Sequence, residues 1–165
     1  MPVEGADRHQ DHDGDQGGHR DPGDHVAECD GQHEQLWAEV CHEIDLPGPA
    51  SRLAPILTGW QDRVASTGAT TEGSIAYGLG LALATLGRID EAAAAYDVAL
   101  TVNRRLRAPL FVARTQLAYA GLLAGSEPGA ARDLAADARS AAHRFGFAGI
   151  TRRAEQLLGR LPRVV

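Results

Sequence analysis

The stretch "LGLALATLGRIDEAAAAYDVAL", residues 79–100, decides how this chain is read. Leu79 and Leu83, with Ile75 before them and Leu86 after, form an apolar stripe at helical spacing. Ser74 can cap that helix, and Gly87 suits a left-handed end to it. Asp90 then sets an acid at the positive end of a second helix, in which Ala92, Tyr96, Ala99 and Leu100 share a face. Four consecutive alanines lead up to Tyr96, and they carry no chemistry. Gly80 in mid-helix costs roughly 1 kcal/mol relative to Ala, a cost that is tolerable where a neighbouring helix must come close. Ala92 and Ala99 are the matching small surfaces on the opposing helix, and Tyr96 fills the space between them. The stretch predicts a packed helical hairpin and no site.

Working outward, helical spacing continues on both sides. Leu36, Val40 and Ile44 recur at four-residue steps with Trp37 alongside, until Pro47-Gly48-Pro49 stops the run. A second helix is predicted over Ala50 to Ala65 on Leu53, Ile56, Leu57, Trp60 and Val64, with Pro55 kinking it or delaying its start. Residues 66–73, "STGATTEG", read as a polar loop. Pro109 suits the first turn of a fifth helix that ends at Gly125. Ser126 caps a sixth, expected to bury Leu134, Ala135, Ala138, Ala142 and Phe145 and to stop at Gly146. A last helix carries Ile150, Ala154, Leu157, Leu158 and Leu161. No segment shows strand alternation, so the fold class expected is all-α: short antiparallel helical hairpins over residues 35–162, about seven helices in all.

The first 31 residues, "MPVEGADRHQDHDGDQGGHRDPGDHVAECDG", are of a different kind. Nearly devoid of large apolar side chains, they cannot offset an ordering cost of about 1–2 kcal/mol per residue, and they read as a disordered acidic tail. Residues 1–45 hold thirteen of the 22 acids against two Arg, a net −11; the other residues hold fourteen Arg against nine acids, a net +5. The chain is an acidic arm on a mildly basic body. All sixteen basic residues are Arg. Without Lys, a Walker phosphate loop and a Schiff-base enzyme are both excluded. Cys29 and Cys41 are too few for a disulfide scaffold; a bridge between them is conceivable, and two free thiols in the cytoplasm is the reading preferred. No signal peptide opens the chain, and the most apolar run, Ile75 to Leu86, is too short for a bilayer span of about 20 residues.

Internal similarity supports a repeat. Leu79-Gly80, Leu83, Gly87, Ala92, Tyr96 and Ala99 fall at the spacings of the tetratricopeptide helix–turn–helix signature. Ala131, Ala135 and Ala138 answer Ala92, Tyr96 and Ala99 more weakly, 39 residues on. The standard period is about 34 residues, and "NRRLRAP", 103–109, would absorb the excess. These residues also carry a family resemblance. "GSIAY" entering "LGLALATLGRIDEA", and then "RTQLAYAGLL", all within 73–125, resemble the C-terminal helical-repeat region of large bacterial ATPase-type regulators. Those multidomain proteins join a P-loop ATPase to such repeats and to a LuxR-type DNA-binding domain or a nucleotide cyclase domain. The similarity spans about residues 36–160 and implies a tetratricopeptide-like solenoid at the sensor or scaffold end of a regulator. The chain shows no G-x-x-x-x-G-K-[ST], no helix-turn-helix segment and no cyclase-like region, so no catalytic residue of that family carries over.

Three constellations could carry chemistry. Cys29, His33, Cys41 and His42 invite a metal reading, but Cys-x₃-His followed by Cys-His fits no closed zinc pattern. A flexible arm does not preorganise ligands, so no metal and no cofactor is expected. Residues 101–165 hold eleven Arg against four acids. Arg104, Arg105, Arg107, Arg152 and Arg153 are clustered there, offering a partner surface, a solvated face or a seat for the acidic arm. The absence of interleaved aromatics argues against nucleic acid. His143 sits late on a helix and nothing marks a nucleophile elbow, so an enzyme is not expected. The function expected is a cytoplasmic protein–protein interaction module, binding a protein partner or itself through the helical repeats, with Trp37 and the clustered arginines as interaction surface and an inner groove, lined by the first helix of each hairpin, as partner site. The alternative is a fragment or regulatory subunit of an ATPase-type transcriptional regulator.

Overall fold

The computed structural model describes residues 23–66 and 70–162, and of residues 23–30 the backbone alone. Within them the chain is mostly helical. The order is α1 (Gly23–Glu43), α2 (Pro47–Thr58), β1 (Val64–Ser66), β2 (Thr71–Ser74), α3 (Ile75–Thr85), α4 (Ile89–Arg105), α5 (Pro109–Leu123), α6 (Pro128–Phe145) and α7 (Ala148–Arg160). The start of α1 falls inside the stretch expected to be a tail; residues 1–22 of that tail lie outside the described residues. Each helix packs on the next in sequence, α2 on α3 included, although β1 and β2 intervene between those two in the chain. In addition α1 packs on α3, α3 on α5 and α5 on α7. Among the described residues no helix is long and apolar enough to cross a membrane.

The decisive hairpin folds as its residues dictate. Ser74 Oγ accepts from the Ala76 N–H at 3.3 Å and caps α3. Gly87 takes φ 70° at its far end, and Asp90 and Glu91 open α4. Between the two helices Tyr96 is fully buried, as are Ala92 and Ala99. A Cβ built on Gly80 would stand 2.6 Å from Tyr96 Cδ1, so the ring occupies the space that a side chain at Gly80 would need. Ala131, Ala135 and Ala138, the weaker echo on α6, are also fully buried. Gly146 ends α6 in the left-handed region at φ 77°.

Elsewhere the structure departs from the sequence reading. The chain is not all-α: β1 and β2 form an antiparallel pair with Val64 opposite Ser74, Ala65 opposite Gly73 and Ser66 opposite Thr71. Three and four residues are too few to display a period of two, so the polar loop concealed a strand pair. The second helix begins at Pro47, three residues before Ala50, and ends at Thr58, well before Ala65. Proline at a first helical position needs no donor, which is why Pro47 opens the element rather than merely separating two. The same holds at α6. Ser126 does not cap it, since Pro128 starts the helix and no side chain caps it. Phe145, expected in the core, is half-exposed and stacked against Phe147, their centroids 5.9 Å apart.

α1 turns its apolar stripe away from the core. Leu36, Trp37, Val40 and Ile44 all point outward, at 45, 61, 42 and 62% exposure. The inward face is Gln35, Ala38 and Cys41, each fully buried. The cause lies on α3: a Cβ on Gly78 would meet Gln35 Cα at 3.1 Å. The two backbones approach too closely for a leucine or a tryptophan between them. Gln35 is held in place by its Nε2, which donates to the Glu72 carbonyl at 3.0 Å. A second buried polar group, Asn103, ties three elements together. Its Oδ1 accepts from the Ser74 N–H at 3.0 Å, and its Nδ2 donates to Thr115 Oγ1 at 3.3 Å.

Candidate functional site

The four odd-numbered helices line one groove of about 480 Å³. Leu81 and Ala84 of α3, Leu117, Ala118, Gly121 and Leu122 of α5 and Ile150 of α7 supply apolar surface. Glu39, His42 and Glu43 of α1, Tyr77 of α3, Arg114 of α5 and Arg153 of α7 supply the polar groups. The helical repeat places them. Glu39 and Glu43 are one turn apart on α1, and Leu117 and Gly121 are one turn apart on α5, so each pair shares a side of its helix.

Charge is balanced across the groove. Arg114 pairs with Glu39 at 2.7 Å, both side chains being about a quarter exposed. The Arg114 guanidinium also lies over the Tyr77 ring, 5.0 Å from its centroid. Burial holds the Tyr77 phenol above its ordinary 10.0, against the opposing pull of Arg114. Nearer the rim, Arg153 Nη1 reaches Glu43 Oε1 at 3.3 Å, with both side chains well exposed. His42 Nδ1 lies 3.2 Å from Thr85 Oγ1. Apolar surface with a few fixed donors and acceptors is the lining of a recognition cleft, and the volume lies in the usual range of roughly 300–1,000 Å³.

Gly121 stands out among these residues. It sits inside α5, where glycine costs about 1 kcal/mol relative to alanine. A Cβ there would meet nothing within 4 Å. Packing within the chain therefore does not require the glycine, unlike Gly80 and Gly78. The missing side chain leaves bare backbone facing the groove.

The residues singled out from the sequence fall in three places. Leu79, Gly80, Leu83, Ala92, Tyr96 and Ala99 are buried in the α3–α4 contact, and Gly87 is the exposed turn between those helices. Trp37 stands on the outer face of α1. Arg104 and Arg105 occupy the last turn of α4, Arg107 follows in the turn at φ 52°, and Arg152 lies on α7, all exposed. Of the six residues put forward as an interaction surface, only Arg153 lines the groove. Among the residues considered as metal ligands, Cys41 is a buried free thiol and Cys29 lies outside the residues whose side chains are described. No group of three or more His, Cys, Asp or Glu among the described residues could hold a metal ion.

Glu39, Tyr77, Arg114 and Gly121 escaped the sequence reading. Arg114 had a signal: one cation inside the otherwise apolar "FVARTQLAYAGLL", residues 111–123, needs a partner from another element. Which acid supplies it depends on how α1 docks. No family model, curated protein or solved structure matches this chain, so the functional reading rests on its own residues.

Proposed function

We propose that the chain is a non-catalytic protein–protein interaction module of stacked, tetratricopeptide-like helical hairpins whose groove accepts a segment of a partner protein. In this reading α1–α2, α3–α4 and α5–α6 are the hairpins and α7 closes the stack. The observation that carries it is the groove lining, drawn from the first helix of each hairpin and from α7, the surface on which a helical solenoid receives partners. The contacts of α1 with α3, α3 with α5 and α5 with α7 support the same stacking. Two cysteines, too few for a disulfide framework, favour the cytoplasm as the compartment. The resemblance of residues 73–125 suggests one kind of partner: another chain of an ATPase-type regulator. This protein would then be a fragment or a regulatory subunit of such a regulator.

Gly121→Leu provides the test. A Cβ at this position meets nothing within 4 Å, so the new side chain enters the open groove and the fold is expected to be kept. Peptides selected from a random display library against the wild-type protein are expected to bind it and to lose at least tenfold in affinity for Gly121→Leu. Unchanged melting of the variant excludes misfolding as the cause. If selection yields nothing, or the selected peptides bind Gly121→Leu equally well, the groove is not the partner site.

A further inference from the structure

We propose that the outward face of α1 is the two-fold interface of a homodimer, a surface separate from the groove. Leu36, Trp37, Val40 and Ile44 span roughly 100° of the helix circumference at 3.6 residues per turn. Their strip is centred roughly 140° from the buried Gln35, Ala38 and Cys41. Glu39, His42 and Glu43, which face the groove, lie on a third side. A helix that is apolar away from its own core is built to be covered from both directions.

The size of the strip fits a subunit contact. At exposures of 45, 61, 42 and 62%, the four side chains present roughly 250–300 Å² of apolar surface, taking about 150–250 Å² for the tryptophan and about 60–120 Å² for each aliphatic side chain in full. One partner of a standard interface buries about 800 Å², of which rather more than half is apolar. The strip alone therefore supplies more than half of the apolar surface that a stable dimer needs.

The remaining choice is what covers it. Residues 1–22 offer Met1 and Val3 as their only large apolar side chains, beside six carboxylates, so the chain's own arm is a poor match. The opposite end of the molecule does not complement it either. There α7 exposes Arg152, Glu155 and Arg160. The other exposed large apolar residues, such as Ile56, Ile89 and Phe145, are scattered over separate helices. The surface in this molecule that matches the strip is the strip itself. Self-matching surfaces close about a two-fold axis and stop at two copies. Charge selects the direction. With a net −11 on residues 1–45, parallel helices would bring two acidic arms together. An antiparallel crossing near Val40 instead sends each Gly23 end about 25 Å to opposite sides, at 1.5 Å per residue.

The test uses the full chain. Light scattering across a micromolar concentration series is expected to give the mass of two 17.4 kDa chains, falling to one on dilution. Trp37 emission should shift to the red with that fall. Trp37→Glu and, separately, Ile44→Arg should each raise the dissociation constant at least 100-fold while far-UV circular dichroism is unchanged. The dilution-dependent emission of the wild type reads the interface even if one variant fails to fold. A wild type that stays at one chain throughout overturns the proposal and assigns the strip to a different protein. Masses rising beyond two chains, or a dimer indifferent to both substitutions, overturn it as well.

Discussion

The α3–α4 hairpin and α1 were read from the sequence by the same rule, apolar residues at helical spacing, and the rule served them differently. In the hairpin Tyr96 is seated against Gly80, and Ala92 and Ala99 beside it are buried. In α1 the helix is present, but its apolar stripe, from which Trp37 was read as interaction surface, faces away from the core, and the face that packs inward is Gln35, Ala38 and Cys41. The difference is whether the sequence itself says how close the neighbour comes. Gly80 and Tyr96 state a void and its filling within sixteen residues of each other. For α1 the controlling glycine is Gly78, 43 residues from Gln35, and nothing near Leu36 or Val40 announces it. Periodicity finds stripes; shape on the partner decides which stripe goes in.

The largest expected effect lies at the hairpin. Gly80→Leu puts a side chain where the Tyr96 ring already sits, and the buried ring has no solvent to move into. Overpacking of this kind costs about 3 kcal/mol or more. Chemical denaturation should show the loss, and an unshifted midpoint would mean that α3 and α4 are not in this contact. The next effect separates the two faces of α1. Ala38→Leu, on the fully buried face against α3, should cost about 1–3 kcal/mol. Leu36→Gln, on the outward face, should change the stability of the monomer by no more than about 0.5 kcal/mol. Should Leu36→Gln prove the more damaging of the two in dilute protein, the outward face of α1 would be packed against the chain itself.

How far the fold could be read follows from the same contrast. Helices whose ends are marked by local chemistry, Ser74 and Gly87 around α3 or Pro109 ahead of α5, could be placed from the sequence closely. The start of α2 slipped by a few residues, because Pro47 reads equally well as a stop or a start. The β1–β2 pair was hidden by its brevity; it is held by Gly73 at φ 84° and by the Ile75 N–H donating to the Arg63 carbonyl at 3.1 Å. The groove was foreseen as a surface lined by the first helices, but its polar members were not. Arg114 gains Glu39 and Tyr77 as neighbours only through the docking of α1 and α3 on α5, contacts between residues 75 and 37 positions apart. Of the arginines conspicuous in the sequence, Arg104, Arg105 and Arg107 stand exposed at the end of α4 and Arg152 on α7, and Arg153 alone of the five lines the groove.

The smallest effect has the most informative sign. Tyr96 was assigned to the hairpin for its size, and its hydroxyl is buried without a hydrogen-bond partner. Tyr77 and Tyr119 flank it, with centroids 6.5 and 5.5 Å away, so the three tyrosines of the chain form one row. Removing an unpaired buried hydroxyl while keeping the ring recovers a desolvation penalty, so Tyr96→Phe should be neutral or stabilising by about 1 kcal/mol. Burial also holds the Tyr96 phenol far above its ordinary 10.0. A group whose folded value is raised favours the native state fully below its unfolded value, and that stability is lost as pH climbs above it. The wild type should therefore lose melting temperature between about pH 9 and pH 11, the range in which an unfolded phenol ionises. Tyr96→Phe should lose less over the same range, retaining the dependence owed to Tyr77 and Tyr119, whose phenols burial raises too. Thermal melts of both proteins across that range decide the matter. A Tyr96→Phe protein less stable than wild type by more than about 1 kcal/mol would mean that the hydroxyl is paired in solution, and that polarity as well as shape holds α3 to α4.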